Sequence, residues 1–132
     1  MGLFSDDLIE KEVALSDMDR LAIDLRGLIE DNHKSLIASR LTHGDPAVLS
    51  CLNIFISRLD LRYHDKLLLF KNCDDHLKWV KKVKGDYYIV IKVQPLVYHL
   101  TPLAFESSGE IIIILDKYLR VSKFKVRRYG DF

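Results

Sequence analysis

Long apolar runs are missing from this 132-residue chain, and so are the staples of small secreted domains. No stretch approaches the roughly 18 apolar residues that a membrane-spanning helix needs. Two cysteines, Cys51 and Cys73, cannot build a disulfide scaffold of the secreted kind. Cys51 falls in an apolar helical pattern and reads as a small buried hydrophobe. Six glycines are too few to suggest a phosphate-cradling loop, and GxGxxG, GxxxxGKS/T, HExxH and GxSxG are all absent. The opening MGLFSDDLIEKE has neither a basic nor an apolar stretch, so a secretory signal is not expected. Asp6 stands where the myristoylation pattern after Gly2 wants Ser or Thr. A reducing cytoplasmic setting is the expectation, with no membrane anchor.

What remains is the composition of an ordinary folded protein, 48% hydrophobic and 30% charged, which excludes the low-hydrophobicity, high-charge class of disordered chains. A chain this long buries roughly two thirds of its unfolded surface, enough for one core. No repeat or linker interrupts it, so a single domain over 1–132 is expected.

The net charge of +1 hides an asymmetry. Met1 to Asp75 holds 9 Lys/Arg against 14 Asp/Glu, and His76 to Phe132 holds 11 against 5. The halves therefore carry −5 and +6. Such a split is a hint of an interaction surface. It is equally what two mutually attracting halves of one fold would show.

The first half reads as helix. Residues 5–13 have Ser5 as a cap and acids in the first turn. Ser16 and Asp19 resemble a capping box opening a helix over 16–41. Leu21, Leu25, Leu28, Ile29, Leu36, Ile37 and Leu41 draw one apolar stripe along it, which thins at Glu30 to His33, where a kink or break is expected. Asp45-Pro46 marks the next helix start: a carboxylate cap, then proline at the first helical position. Val48, Leu49, Leu52, Phe55, Ile56 and Leu59 continue as its apolar face, ending near Arg62.

The second half reads as sheet. Residues 66–71 suggest a short strand, and DDHLKWVKKV one or two helical turns. Lys84-Gly85-Asp86 can close a hairpin between the residues before it and the β-branched, aromatic run YYIVIKV at 87–93. Pro95 and Pro102 make 94–109 a loop or irregular edge. EIIIIL at 110–115 is apolar at both parities, so a strand there needs cover on both faces. Tyr118 to Arg128 returns as the last strand. The fold class is α+β: an N-terminal amphipathic helical hairpin packed on a C-terminal, mostly antiparallel sheet.

That last strand holds the most informative pattern. Leu119 and Val121 share one parity, Phe124 and Val126 the other. A β-bulge at Ser122-Lys123 would restore a single apolar face. The opposite face would then carry Arg120, Lys123, Lys125 and Arg127, with Arg128 beside it. Such a stripe suits phosphates or an acidic protein. Equally, it suits an edge strand using Lys and Arg to block edge-to-edge pairing. Lys78, Lys81, Lys82 and Lys84 around Trp79 form a second basic cluster, readable as a patch or as a solvated face. Aromatics for base stacking are available in Tyr87, Tyr88, Tyr118, Phe124 and Tyr129, but no RNP-like signature appears.

Catalytic and metal chemistry is poorly supported. Cys73-x-x-His76 has the spacing of half a zinc site, but the other half is missing. Cys73 as a nucleophile with His64 or His76 as base has no oxyanion-hole segment nearby. Asp6-Asp7 and Asp74-Asp75 are better explained as helix and turn charges. Neither cofactor nor metal is expected, and no catalytic residue is assigned.

Size and layout alone are similar to several kinds of small partner protein: toxin-neutralising immunity proteins, secretion chaperones and phage accessory proteins. The expected function is a small non-catalytic protein-binding or accessory protein with charge-complementary surfaces. A nucleic-acid-binding module using the basic C-terminal strand and the lysines around Trp79 is the alternative.

Overall fold

The computed structural model describes residues 17–70, 79–95 and 109–128. Three helices, α1 (Asp17–Asp31), α2 (His33–His43) and α3 (Asp45–Tyr63), precede five strands: β1 (Leu67–Phe70), β2 (Val80–Val83), β3 (Asp86–Pro95), β4 (Gly109–Leu115) and β5 (Val121–Arg128). All strand pairs are antiparallel. The expected α+β arrangement, helices before sheet, is what the chain adopts. The helix expected over residues 5–13 and the Ser16 cap lie outside the described residues.

Met18, Leu21, Ala22, Leu25 and Ile29 recur at three- and four-residue steps and bury one face of α1. The expected break comes at Asn32, which leaves helical geometry with φ −104° and ψ 18°. Its backbone N–H and side-chain amide both donate to the Leu28 carbonyl, at 3.1 and 2.7 Å. One residue thus ends α1 and opens α2. Leu36 stays fully buried, but Leu41, expected on the same stripe, is 82% exposed. Five residues beyond Leu36 is about 140° further round the helix, which turns Leu41 to solvent.

Gly44 joins α2 to α3 with φ +79° and donates its N–H to the Arg40 carbonyl at 2.8 Å. Asp45 was expected to cap α3 through its carboxylate. It makes no such cap; it is the first helical residue, and its carboxylate reaches across to Lys82 and Tyr87 on the sheet.

The strand order is β1-β3-β4-β5, with β2 also on β3. β1 pairs with Lys92 to Pro95 and β2 with Asp86 to Ile89, so the two together lie along one side of β3. The lysine-rich run at 80–83, read above as helical turns, is strand, because it is paired along β3. Lys84 (φ 50°) and Gly85 (φ 90°) make the tight turn from β2 to β3. Two positive φ values in a two-residue loop match the twist of the flanking strands.

The side of the sheet that the helices occupy, its inner face, carries Tyr87, Ile89, Ile91 and Val93 of β3 and Ile111, Ile113 and Leu115 of β4, all essentially fully buried. Against them lie Leu25, Leu52, Ile56 and Leu59 from the helices, in one core. At the far end, Asp116 organises the β4–β5 loop: its carboxylate accepts the N–H of Tyr118 at 2.9 Å and of Arg120 at 3.1 Å. Leu119, buried in the core at φ 63°, pins the loop. α2 then holds that loop by two carbonyls, since His33 Nε2 donates to Tyr118 at 3.0 Å and Arg40 to Lys117. Consequently the last strand begins at Val121, not Tyr118.

Candidate binding surface

The bulge expected at Ser122-Lys123 is present. Ile114 pairs with Lys123 and Leu115 with Val121, leaving Ser122 as the extra residue. Its hydroxyl donates to the Ile114 carbonyl at 3.1 Å. With the bulge between them, Val121 on one side and Phe124 and Val126 on the other all turn to the core, while Lys123, Lys125 and Arg127 point the other way and are exposed.

The outer face is legible in the register as cross-strand rows. Lys81, Tyr88, Ile114 and Lys123 are successive partners across β2, β3, β4 and β5. Alongside runs Val90, Ile112 and Lys125, with Trp79 next to Val90 through a 3.1 Å backbone hydrogen bond. A third row is Lys92, Glu110 and Arg127, closed by an Arg127–Glu110 ion pair at 3.7 Å. Tyr88, Val90, Ile112 and Ile114 therefore lie between Lys81 on β2 and the cations of β5, while the third row puts Lys92 and Glu110 on the middle strands. Lys81 on β2 stands about 14 Å from the cations of β5, three strand spacings of roughly 4.8 Å each.

This face is not the covered one anticipated for EIIIIL. Ile112 and Ile114 are half-buried, against full burial of Ile111 and Ile113. Val90 is 36% exposed and Val83 44%. Trp79, Lys81, Val83, Tyr88 and Val90 line a depression of about 260 Å³ on it. The helices contact the sheet from the other side: Asp45 holds Lys82 and Tyr87, Asp19 holds Arg128, and the Arg26 guanidinium sits 4.9 Å from the Phe124 ring centroid.

The expected binding residues thus divide. Lys81, Lys123, Lys125 and Arg127 share the outer face. Arg128 does not join them: after Arg127 the alternation turns it inward to Asp19. Lys82 is inward too, bound to Asp45. That hydrogen bond, then the one from the Tyr87 hydroxyl, holds the Asp45 carboxyl below its ordinary range, and the same contact raises Lys82. Burial, then the Asp45 contact, raises Tyr87. Trp79 is buried. Arg120 belongs to the β4–β5 loop, where it lines a separate cavity of about 270 Å³ with Glu30, His33, Leu119 and Val121. Lys78 lies outside the described residues.

Cys73 and His76 also lie outside them. His64 is exposed and sits 2.6 Å from the Leu61 carbonyl. Among the described residues no group of three His, Cys, Asp or Glu side chains could hold a metal ion, and none of their helices is long and apolar enough to cross a membrane. Cys51 is half-buried against the core.

The residues that sequence reasoning missed are the aliphatic ones: Val90, Ile112 and Ile114. Their signal was parity. Each sits one residue from a core position, and the four-isoleucine run hid which two faced out. No family model matches the chain, and no curated protein or solved structure does either.

Proposed function

We propose that the chain is a non-catalytic binding protein whose docking surface is the outer face of the sheet. Its partner is a protein presenting acidic side chains around an apolar centre. The observation that supports this is the row order cation, aromatic, isoleucine, cation from Lys81 to Lys123. Protein interfaces place an apolar core inside a polar rim, and complementary rim charge speeds encounter and fixes register. A surface that tracks phosphates puts its cations along the middle of the path with aromatic platforms among them. Here Lys81, Lys123, Lys125 and Arg127 stand on the outer strands, and between them a single tyrosine, Tyr88, sits among Val90, Ile112 and Ile114, which favours protein over nucleic acid. Lys92, Lys123 and Lys125 make no ion pair among the described residues, so their charge is available to a partner.

A selection of phage-displayed random peptides on the immobilised chain tests this. Peptides mixing Asp or Glu with large apolar residues should be enriched, and their binding should weaken as salt rises. The double variant Ile112→Ser, Ile114→Ser should keep its circular dichroism spectrum and lose them. Tight oligonucleotide binding at low salt, with no acidic peptides enriched, would overturn the proposal and leave the phosphate reading.

A further inference from the structure

We infer that the partner is engaged by strand addition: an extended segment of alternating acidic and apolar residues pairs with the open edge of β5, beneath the flank of α1. This rests on the acidic-partner reading above and names the form the partner takes.

The two edges of the sheet are unlike. One is built from two four-residue strands, β1 and β2. The other is β5, eight residues long and, among the described residues, paired only with β4. An edge strand leaves a row of N–H and C=O groups that an incoming strand can complete. The bulge is confined to Ser122, so Lys123 to Arg128 runs in regular register and offers six residues of ladder.

What borders this edge specifies the guest. On the outer side stand Lys123, Lys125 and Arg127, all exposed. On the inner side Val121, Phe124 and Val126 are only partly covered. α1 runs alongside them: Asp19 reaches Arg128, Arg26 lies over Phe124, and Glu30 shares a cavity with Val121. Ile23, one turn on from Asp19 along that flank, is 50% exposed, an apolar contact for a guest side chain entering beneath the helix. Since alternate side chains of a strand point to opposite faces, one parity of the guest meets cations and the other meets Phe124, Val126 and Ile23. The sequence that fits is acidic at every second position and apolar between.

A second copy of β5 is a poor guest. Antiparallel pairing of two such strands would bring Lys123, Lys125 and Arg127 of each against the same three of the other, and like charges directly opposite are destabilising.

The test uses a capped ten-residue peptide of alternating glutamate and valine, followed by fluorescence anisotropy with the full chain. Pairing requires amides of one parity only. N-methylation of alternate amides at that parity should weaken binding at least about 10-fold, and at the other parity leave it nearly unchanged. A peptide of the same composition with its glutamates and valines in two blocks should bind weakly. Lys125→Glu with Arg127→Glu should abolish binding, while Ile23→Ser should weaken it with β-sheet signal intact. If both N-methylated peptides bind like the parent, strand addition is wrong, and the outer-face reading stands alone. If peptide binding is lost in Ile112→Ser, Ile114→Ser but not in Lys125→Glu, Arg127→Glu, the guest sits on the face and not the edge. A concentration-dependent dimer of the chain that excludes the peptide would also overturn the inference, in favour of self-pairing.

Discussion

The two faces of this sheet are made from the same strands, often from the same residue type, and they do opposite things. Ile111 and Ile113 are fully buried while Ile112 and Ile114, one residue away, are half-buried. Lys82 faces inward, tied to Asp45, and Lys125, outward on the far edge, makes no ion pair among the described residues. Hydrophobicity alone does not separate the faces. The helices separate them, by covering one side. The inner face therefore holds the fold together, and the outer face is left with an apolar centre that costs the isolated protein little.

The sharpest way to break that comparison is to truncate one isoleucine on each face. Ile113→Ala removes a fully buried side chain, and such a deletion costs about 2–5 kcal/mol through lost transfer energy and residual cavity. Ile114→Ala should cost less than about 1.5 kcal/mol, because its site is already part solvent. Urea unfolding of both variants measures the difference; equal losses would mean that the outer face is also core. The next effect is steric and lies between the faces. A Cβ on Gly109 would fall 2.1 Å from the Arg127 carbonyl oxygen and 3.0 Å from the Arg128 Cα. Both obstacles are backbone, so Gly109→Ala must push β4 and β5 apart, at a cost of about 1–3 kcal/mol. Hydrogen exchange should show the loss concentrated in β5, and with it the loss of peptide binding at that edge.

How far the sequence predicted this depends on the kind of signal. Helix stripes, the Asn32 break, the Lys84-Gly85 hairpin and the Ser122 bulge are local. Each follows from spacing within a few residues, and each was legible. Leu41 was misplaced because, five residues beyond Leu36, it stands about 140° further round the same helix. The strand at 80–83 was misread because its partner, β3, lies downstream and makes a strand of a lysine-rich segment with little strand propensity of its own. The surface was half legible. Lys123, Lys125 and Arg127 could be grouped from parity, but Arg128 and Lys82 are drawn inward by Asp19 and Asp45 from distant helices. EIIIIL could not reveal which parity faces out, since both are isoleucine. Only the register with β3 and β5 decides it.

The smallest effects expected are those of pH at the polar contacts on the inner side. The Tyr63 hydroxyl donates to Asp24 at 2.6 Å, and burial, then this bond, pushes its pKa up to about 12. A raised folded value favours the protonated form, so this contribution is whole below about pH 10, the unfolded tyrosine value, and fades as pH climbs toward 12. Tyr63→Phe should therefore lie below the native protein in melting temperature near neutrality and converge on it above pH 10. Asp45 runs the other way. Its folded value is depressed by Lys82 and Tyr87, so its contribution is present above about pH 4 and is lost as pH falls through the folded value. Its side chain is 36% exposed, so screening keeps the effect modest and salt should reduce it. Asp45→Asn should melt below the native protein at neutral pH, and the gap should close under acid. A gap that persists unchanged in acid would mean that Asp45 holds α3 to the sheet by shape rather than by charge. The inner face would then owe its order to packing alone, and the contrast with the cationic outer face would be sharper still.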